Sequence, residues 1–201
     1  MDNKSKKSIS NYNKKAKNYE STFEGRFTLP FNNFICDNIS VEDNLSVLDV
    51  ACGSGRLLKM LSQKAKINAY GIDISDEMVK IAKEKNPDMY FAFGSADKIP
   101  FENNKFDIIT VCCAFHHFTQ PDKFMKEANR ILKSGGRLLI AEPYSTAIIR
   151  QLENLILPLL PMGDVRLYSK NELQVFFEKA DFKNITIKQD KNQLLTEGIK
   201  L

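Results

Sequence analysis

Val47-Leu48-Asp49-Val50-Ala51-Cys52-Gly53-Ser54-Gly55-Arg56-Leu57-Leu58 is the stretch whose reading decides the fold. Leu45 to Val50 is mostly apolar, as expected of a parallel strand covered on both faces. Gly53 and Gly55 permit a sharp turn and a close approach of the backbone to a ligand. Leu57, Leu58, Leu61 and Ala65 then recur at helical spacing, so the turn feeds a helix over residues 55–65. Free N–H groups at such a helix start suit a negatively charged group. Asp49, at the C-terminal end of the strand, puts a carboxylate where open α/β sheets bind ligands. A ligand with both a carboxylate and a cationic amine fits the pair, as in a cofactor that bears an amino acid.

The alternation continues downstream. Ile67–Ile72 reads as a second strand ending in Asp73, and Ser75, Asp76 and Glu77 open a helix that stops before Pro87. Met89–Phe93 is a third strand, followed by Gly94-Ser95-Ala96-Asp97, and Phe106–Cys113 is a fourth. A helix starts at Pro121 and ends before Gly135-Gly136, and Arg137–Glu142 is a fifth strand. Strands and helices alternating at this spacing form a doubly wound, mostly parallel sheet of the α/β class. Right-handed crossovers gather Asp49, Asp73, Asp97 and the segment after Cys113 at one sheet edge.

Outside this core the pattern changes. Residues 1–44 predict a helical cap: Ile9, Tyr12, Ala16 and Tyr19 suggest one helix, and Phe27, Phe31, Phe34, Ile35 and Ile39 a second with Pro30 near its start. Two readings of the cap stay open, plain packing or closure of Tyr12, Tyr19 or Arg26 over a ligand. Residues 143–168 form an inserted element whose apolar helix, Ile148 to Leu160, ends near Pro158 and Pro161. It either packs in the core or lines an acceptor pocket over the strand edge. Residues 169–201 complete the fold with a helix over 170–180 and a closing antiparallel hairpin, Phe182–Lys188 and Gln193–Ile199. We therefore expect residues 1–201 to form one domain with its cofactor core at 45–142.

Composition sets wider bounds. A length of 201 residues with 43% hydrophobic content supports one domain with a sizeable core. The net charge of +4 comes largely from Lys4, Lys6, Lys7, Lys14, Lys15 and Lys17, read as a solvated terminus rather than a nucleic-acid or membrane arm. No apolar run is long enough to span a bilayer, and no leader-like segment follows the lysines. Cys36, Cys52, Cys112 and Cys113 form no C-x-x-C pair, so they read as reduced thiols of a cytoplasmic protein, with no metal site expected.

Asp73 follows Gly55 at the spacing that places a carboxylate on the hydroxyls of a ribose. A dinucleotide and a nucleoside–amino-acid cofactor both satisfy it. The turn discriminates: it lacks the third glycine of G-x-G-x-x-G, and Asp49 before it repels a pyrophosphate but attracts an α-amino group. S-adenosylmethionine is favoured over NAD.

The chain resembles the class I S-adenosylmethionine-dependent methyltransferases, in the type 11 or ubiquinone-biosynthesis branch. The likeness rests on Val47–Arg56, on Tyr70-Gly71-Ile72-Asp73-Ile74-Ser75, on Gly94-Ser95-Ala96-Asp97 before Ile99-Pro100-Phe101, and on Phe106–Phe118 leading to Leu132-Lys133-Ser134-Gly135-Gly136. It implies a Rossmann-like seven-stranded sheet with strand seven antiparallel. It also implies that Ala51, Gly53 and Gly55 hold the methionine end beside Asp49, and that Asp73 takes the ribose. Ile74 and Met78 would pack on the adenine, and Asp97, with Ala96, would meet its amino group. Cys112 to His116, Ala114 among them, would line the path to the methyl group. Cys52 in the turn departs from the pattern but is small enough to fit. Tyr19, Arg26, Ser54 and Ser95 complete the expected cofactor set.

His116 and His117 are the only histidines and both follow strand four, so one of them is expected to face the acceptor as a base. The plainer reading is a packed turn. Ala114-Phe115-His116-His117 stands where adenine N-methylating enzymes of this fold carry an Asn/Asp-Pro-Pro-Tyr motif. A small-molecule acceptor is therefore expected, with no nucleic acid. The alternatives are a non-catalytic cofactor-binding protein, a methyltransferase acting on a macromolecule, and a dehydrogenase.

Overall fold

Residues 3–160 and 163–201 are described by a computed structural model. Pro161, expected near the end of the inserted helix, lies outside them. The chain opens with helices α1 (Asn3–Lys15) and α2 (Phe23–Asn38), joined by a 3-10 turn over Ala16–Ser21. It continues as β1 (Ser46–Val50), α3 (Arg56–Ser62), β2 (Asn68–Asp73), α4 (Asp76–Lys85), β3 (Tyr90–Phe93), β4 (Phe106–Cys112), α5 (Pro121–Ile131) and β5 (Leu132–Pro143). Helices α6 (Ala147–Ile156) and α7 (Lys170–Lys179) follow, then β6 (Phe182–Asp190) and β7 (Gln193–Lys200).

The strands form one sheet in the order β3-β2-β1-β4-β5-β7-β6. β1 pairs in parallel with β2 (Asp49 opposite Gly71) and with β4 (Asp49 opposite Thr110). Strand order therefore reverses between β1 and β4, where an open α/β sheet leaves a crevice beyond its strand C-termini. β7 runs antiparallel between β5 and β6, so the sheet is mixed, as the resemblance implied.

Alternation along the strands divides the core into two layers. Leu48, Ile109, Leu138 and Ile140 pack with Phe124 of α5 and Phe177 of α7 on one face. Val47, Ile108, Leu139 and Ala141 pack with Phe31 and Ile35 of α2 and Leu58 of α3 on the other. α2 is thus a sheet-covering helix, and α1 is the element beside the cleft.

Three expectations change. Pro30 lies inside α2, because the helix starts earlier, where the Thr22 side chain accepts from the Gly25 N–H at 3.1 Å. β5 starts at Leu132 rather than Arg137, since Leu132 already pairs with Phe106 across a register shift. α6 has no buried residue: Ile148 is 75% exposed and Leu155 72%, so it neither packs in the core nor lines the cleft. No helix among the described residues is long and apolar enough to cross a membrane.

Candidate functional site

The cleft forms where two neighbouring strands end in bent backbone. After β1, Ala51 (φ 60°), Gly53 (φ 53°) and Gly55 (φ 80°) turn the chain into α3. After β4, Cys113 has φ 49°. Left-handed conformations at Ala51 and Cys113 are unfavourable for residues with a Cβ, so packing must hold them. Backbone bonds do: Cys52 N–H donates to Ile72 at 3.0 Å, and Cys113 N–H to Ala141 at 2.8 Å.

A cleft of about 900 Å³ lies at this edge. Ala51, Gly53, Asp73 and Ile74 line it from the ends of β1 and β2, with Met78 from α4, flanked by Ser95, Ala96 and Asp97 after β3 and by Cys112 and Ala114 at the end of β4. Ser5, Ser8 and Tyr12 from α1, and Tyr19 from the following turn, add a wall. His117, Phe118, Thr119 and Gln120 line it as well. A smaller recess of about 370 Å³ shares Tyr19, Ala51, Gly53 and Cys112 with it and adds Asp49, Cys52, Ser54 and Arg56. The two glycines differ. A Cβ on Gly53 would meet only Tyr19 Cε1, at 3.9 Å, so its α-carbon faces free space. A Cβ on Gly55 would lie 2.8 Å from both Asn86 Nδ2 and Phe91 Cζ.

Two carboxylates lie beneath the turn. Asp49 is buried, and its Oδ1 accepts from Thr110 Oγ1 at 2.7 Å. Burial pushes its carboxyl up to about 7, with Asp73 adding to the rise and the Thr110 bond opposing it. Asp73 Oδ2 accepts from Gly53 N–H and Oδ1 from Ser75 N–H, each at 2.8 Å. Burial raises Asp73 too, against these backbone bonds. The N-terminal segment is tied down nearby: Arg56 Nη1 donates to Gly25 O at 2.6 Å, and Ser54 Oγ to Glu20 Oε1 at 2.8 Å.

The histidines sit on a short 3-10 turn, Phe115–His117, with ring centroids 4.2 Å apart. His116 Nδ1 bonds Glu142 Oε2 at 2.7 Å, and Glu142 also accepts from the N–H groups of Phe115 (3.0 Å) and His116 (3.2 Å). Burial acts to lower His116, but the charge and hydrogen bond of Glu142, helped by Asp164, outweigh it and raise it. His117 Nε2 is 3.0 Å from Tyr12 Oη. His117 Nδ1 lies 2.9 Å from Asp164 Oδ1, close enough for an ion pair but not aligned as a hydrogen bond. Burial and the His116 charge lower His117, with Asp164 opposing them.

Most of the expected site residues therefore converge on one cleft and its recess. Three do not reach its surface. Arg26 is exposed on α2 and lines neither cavity. Gly55 is enclosed by Asn86 and Phe91. His116 is turned toward Glu142, leaving His117 on the wall. The sequence reading also missed Ser5, Ser8, Arg56, Glu142 and Asp164. Arg56 had a signal, since a cation in the first turn after the glycines can reach a ligand there. Asp164 had none, because it belongs to no motif.

Comparison with known proteins places the core. Residues 48–140 match the family described as methyltransferase domain. The chain is similar to the demethylmenaquinone methyltransferase of Thermotoga maritima, 38% identical over 97 residues, which are 48% of this chain and 42% of that protein. It is also similar to the ubiquinone/menaquinone biosynthesis C-methyltransferase UbiE of Idiomarina loihiensis, 31% identical over 144 residues, 66% of this chain and 57% of that one. The chain spans about half the length of these relatives. A chain from the complex of the Haloferax volcanii Trm112 methyltransferase activator with a putative methyltransferase superposes with a TM-score of 0.80 at 21% identity, over 94% of this chain and 97% of that one. That likeness establishes a common fold.

Proposed function

Because the chain belongs, over residues 48–140, to this family of methyltransferase domains, in its type 11 branch, we propose that it transfers a methyl group from S-adenosylmethionine to a small-molecule acceptor. One observation carries the reading. The cleft and its recess set out, in order, a carboxylate and a guanidinium (Asp49, Arg56), a second carboxylate (Asp73), apolar side chains (Ile74, Met78) and a third carboxylate (Asp97). That order matches an amino-acid end, a ribose and a purine.

When bound, the cofactor supplies an electrophilic sulfonium methyl. The residues hold it in place. Asp49 would meet the ammonium group and Arg56 the carboxylate, both from the recess. Gly53, lacking a Cβ, lets the ligand lie against the backbone beside Tyr19. Asp73 is oriented by the Gly53 and Ser75 N–H groups and keeps lone pairs for two hydroxyls. Asp97, bonded to Ser95 Oγ, faces the adenine amino group beside Ala96. Cys52 and Ser54 shape the recess, and Cys112 and Ala114 line the way to the methyl group. With the methyl already activated, alignment of the acceptor and exclusion of water supply most of the acceleration.

Tyr12, His117 and Phe118 border the remaining space, a partly aromatic wall suited to an apolar acceptor. One relative is named for demethylmenaquinone and the other for ubiquinone/menaquinone biosynthesis, which supports a ring-bearing acceptor here. His117 is the histidine placed to meet it. The 1–201 unit as one domain and a cytoplasmic site of action belong to the same proposal.

Calorimetry with S-adenosylhomocysteine, S-adenosylmethionine and NAD tests the cofactor. Binding of the first two with no response to NAD is expected, and failure to bind S-adenosylhomocysteine would overturn the reading. Release of S-adenosylhomocysteine in the presence of a panel of aromatic acceptors separates an enzyme from a non-catalytic binder.

A further inference from the structure

We propose that His116, His117 and Asp164 form a binding site for a divalent transition-metal ion of the zinc type. Each of the three residues offers one donor atom, and these atoms lie within 4.8 Å of one another. Asp164 Oδ1 stands 2.9 Å from His117 Nδ1 and 3.6 Å from His116 Nε2. Nitrogen and oxygen ligands bound to one zinc ion at their usual bond lengths stand about 3–3.5 Å apart. Both Asp164 distances are already close to that spacing, and the two imidazole nitrogens, within 4.8 Å of each other, close onto the ion by side-chain rotation.

The hydrogen bonds around the trio support a ligand role. His117 Nδ1 is buried without an aligned hydrogen-bond partner, whereas His117 Nε2 is engaged by Tyr12 Oη at 3.0 Å. His116 Nδ1 is engaged by Glu142 Oε2 at 2.7 Å. Each ring thus uses the nitrogen pointing away from the cluster in a hydrogen bond and leaves the other for an ion. Such bonding behind a metal-bound histidine fixes its tautomer and orientation. Glu142 is itself fixed by the Phe115 and His116 N–H groups. Asp164 is tied to the turn because the next residue, Val165, donates its N–H to His116 O at 2.8 Å.

A polar tie between the turn and the 163–168 segment would account for the 2.9 Å contact of Asp164 with His117, but gives no reason for His116 Nε2 to stand 3.6 Å from the same carboxylate oxygen. Two imidazoles and one carboxylate favour zinc and its neighbours over calcium or magnesium, which take oxygen ligands. Three protein ligands leave a coordination position open. With His117 on the cleft wall, that position can take an acceptor oxygen and favour loss of its proton. This last step rests on the proposed methyl transfer, while metal binding does not.

The test uses the full chain, stripped of metal with a chelator and titrated with Zn²⁺ against a chromophoric competitor. S-adenosylhomocysteine affinity is measured on the same samples, so the cofactor reading stands or falls separately. One equivalent of zinc is expected. Asp164→Asn, which keeps the side-chain volume, and Glu142→Gln are each expected to weaken it by about 10- to 100-fold while S-adenosylhomocysteine still binds. Co²⁺ in place of Zn²⁺ is expected to show no thiolate charge-transfer band. Absence of zinc binding, equal zinc affinity in wild type and Asp164→Asn, or a thiolate band showing that cysteines hold the ion would each overturn the proposal.

Discussion

Asp49 makes one side-chain hydrogen bond, to Thr110, and lies close enough to Asp73 to feel its charge. Its carboxyl, held near 7, keeps its proton in the folded chain over a range where the unfolded chain has lost it. Stability contributed by this group therefore falls as pH rises from the ordinary carboxylate range to about 7. An ammonium group binding beside it reverses the balance by drawing off the proton. We expect S-adenosylhomocysteine affinity to rise between about pH 6 and pH 8 and Asp49→Asn to flatten that rise, as read by calorimetry in buffers of different ionisation heat. The paired glycines give a second residue-level test. Gly55→Ala combines left-handed strain with a collision at Asn86 and Phe91, so thermal unfolding should show a loss of about 2 kcal/mol or more. Gly53→Ala has room for its methyl group and should cost less stability, about 1 kcal/mol, but should reduce S-adenosylhomocysteine binding. Asp49 and both glycines were legible in the sequence because strand ends and turns are local features. That Gly53 has open space beside its α-carbon while Gly55 is enclosed depends on Phe91 and Asn86, which arrive from β3 and the end of α4.

Among the elements, α6 marks how far periodicity reaches. Ile148, Ile149, Leu152 and Leu155 recur as on any core-facing helix, yet all four are exposed. Helical spacing reports that a face is apolar and says nothing of what covers it. Leu155→Ser should therefore change unfolding free energy by no more than about 0.5 kcal/mol. Leu139→Ala on β5, fully buried between β4 and β7, should cost about 2–5 kcal/mol in the same denaturant titration. A near-core cost at Leu155 would show that α6 packs against the fold. Helix α2 teaches a related point. Pro30 is a boundary signal, but Thr22 caps an earlier start and Phe31 and Ile35 bury against the sheet, so packing outweighs the missing N–H.

At the scale of the molecule, ligand binding should act on the whole fold, because the cleft is bounded by α1, β1, β2 and β4 together. S-adenosylhomocysteine at a hundred times its Kd should add about 2.7 kcal/mol, or roughly 5–10 °C in Tm, and NAD should add nothing. The amino-acid sequence by itself determined the order of strands and helices along the chain, the sheet edge where the cleft lies, and the acidic residues there. Those features follow from hydrophobic period, turn chemistry and the handedness of crossovers, all encoded within short stretches. Tertiary structure alone decided that His117 rather than His116 faces the cleft, that Tyr12 reaches it from α1, that Arg26 does not, and that Asp164 joins the histidines. These outcomes depend on side-chain direction across a tight turn and on contacts between residues far apart in the chain. No local pattern records them, and only the packed sheet, with its two covering layers, fixes them.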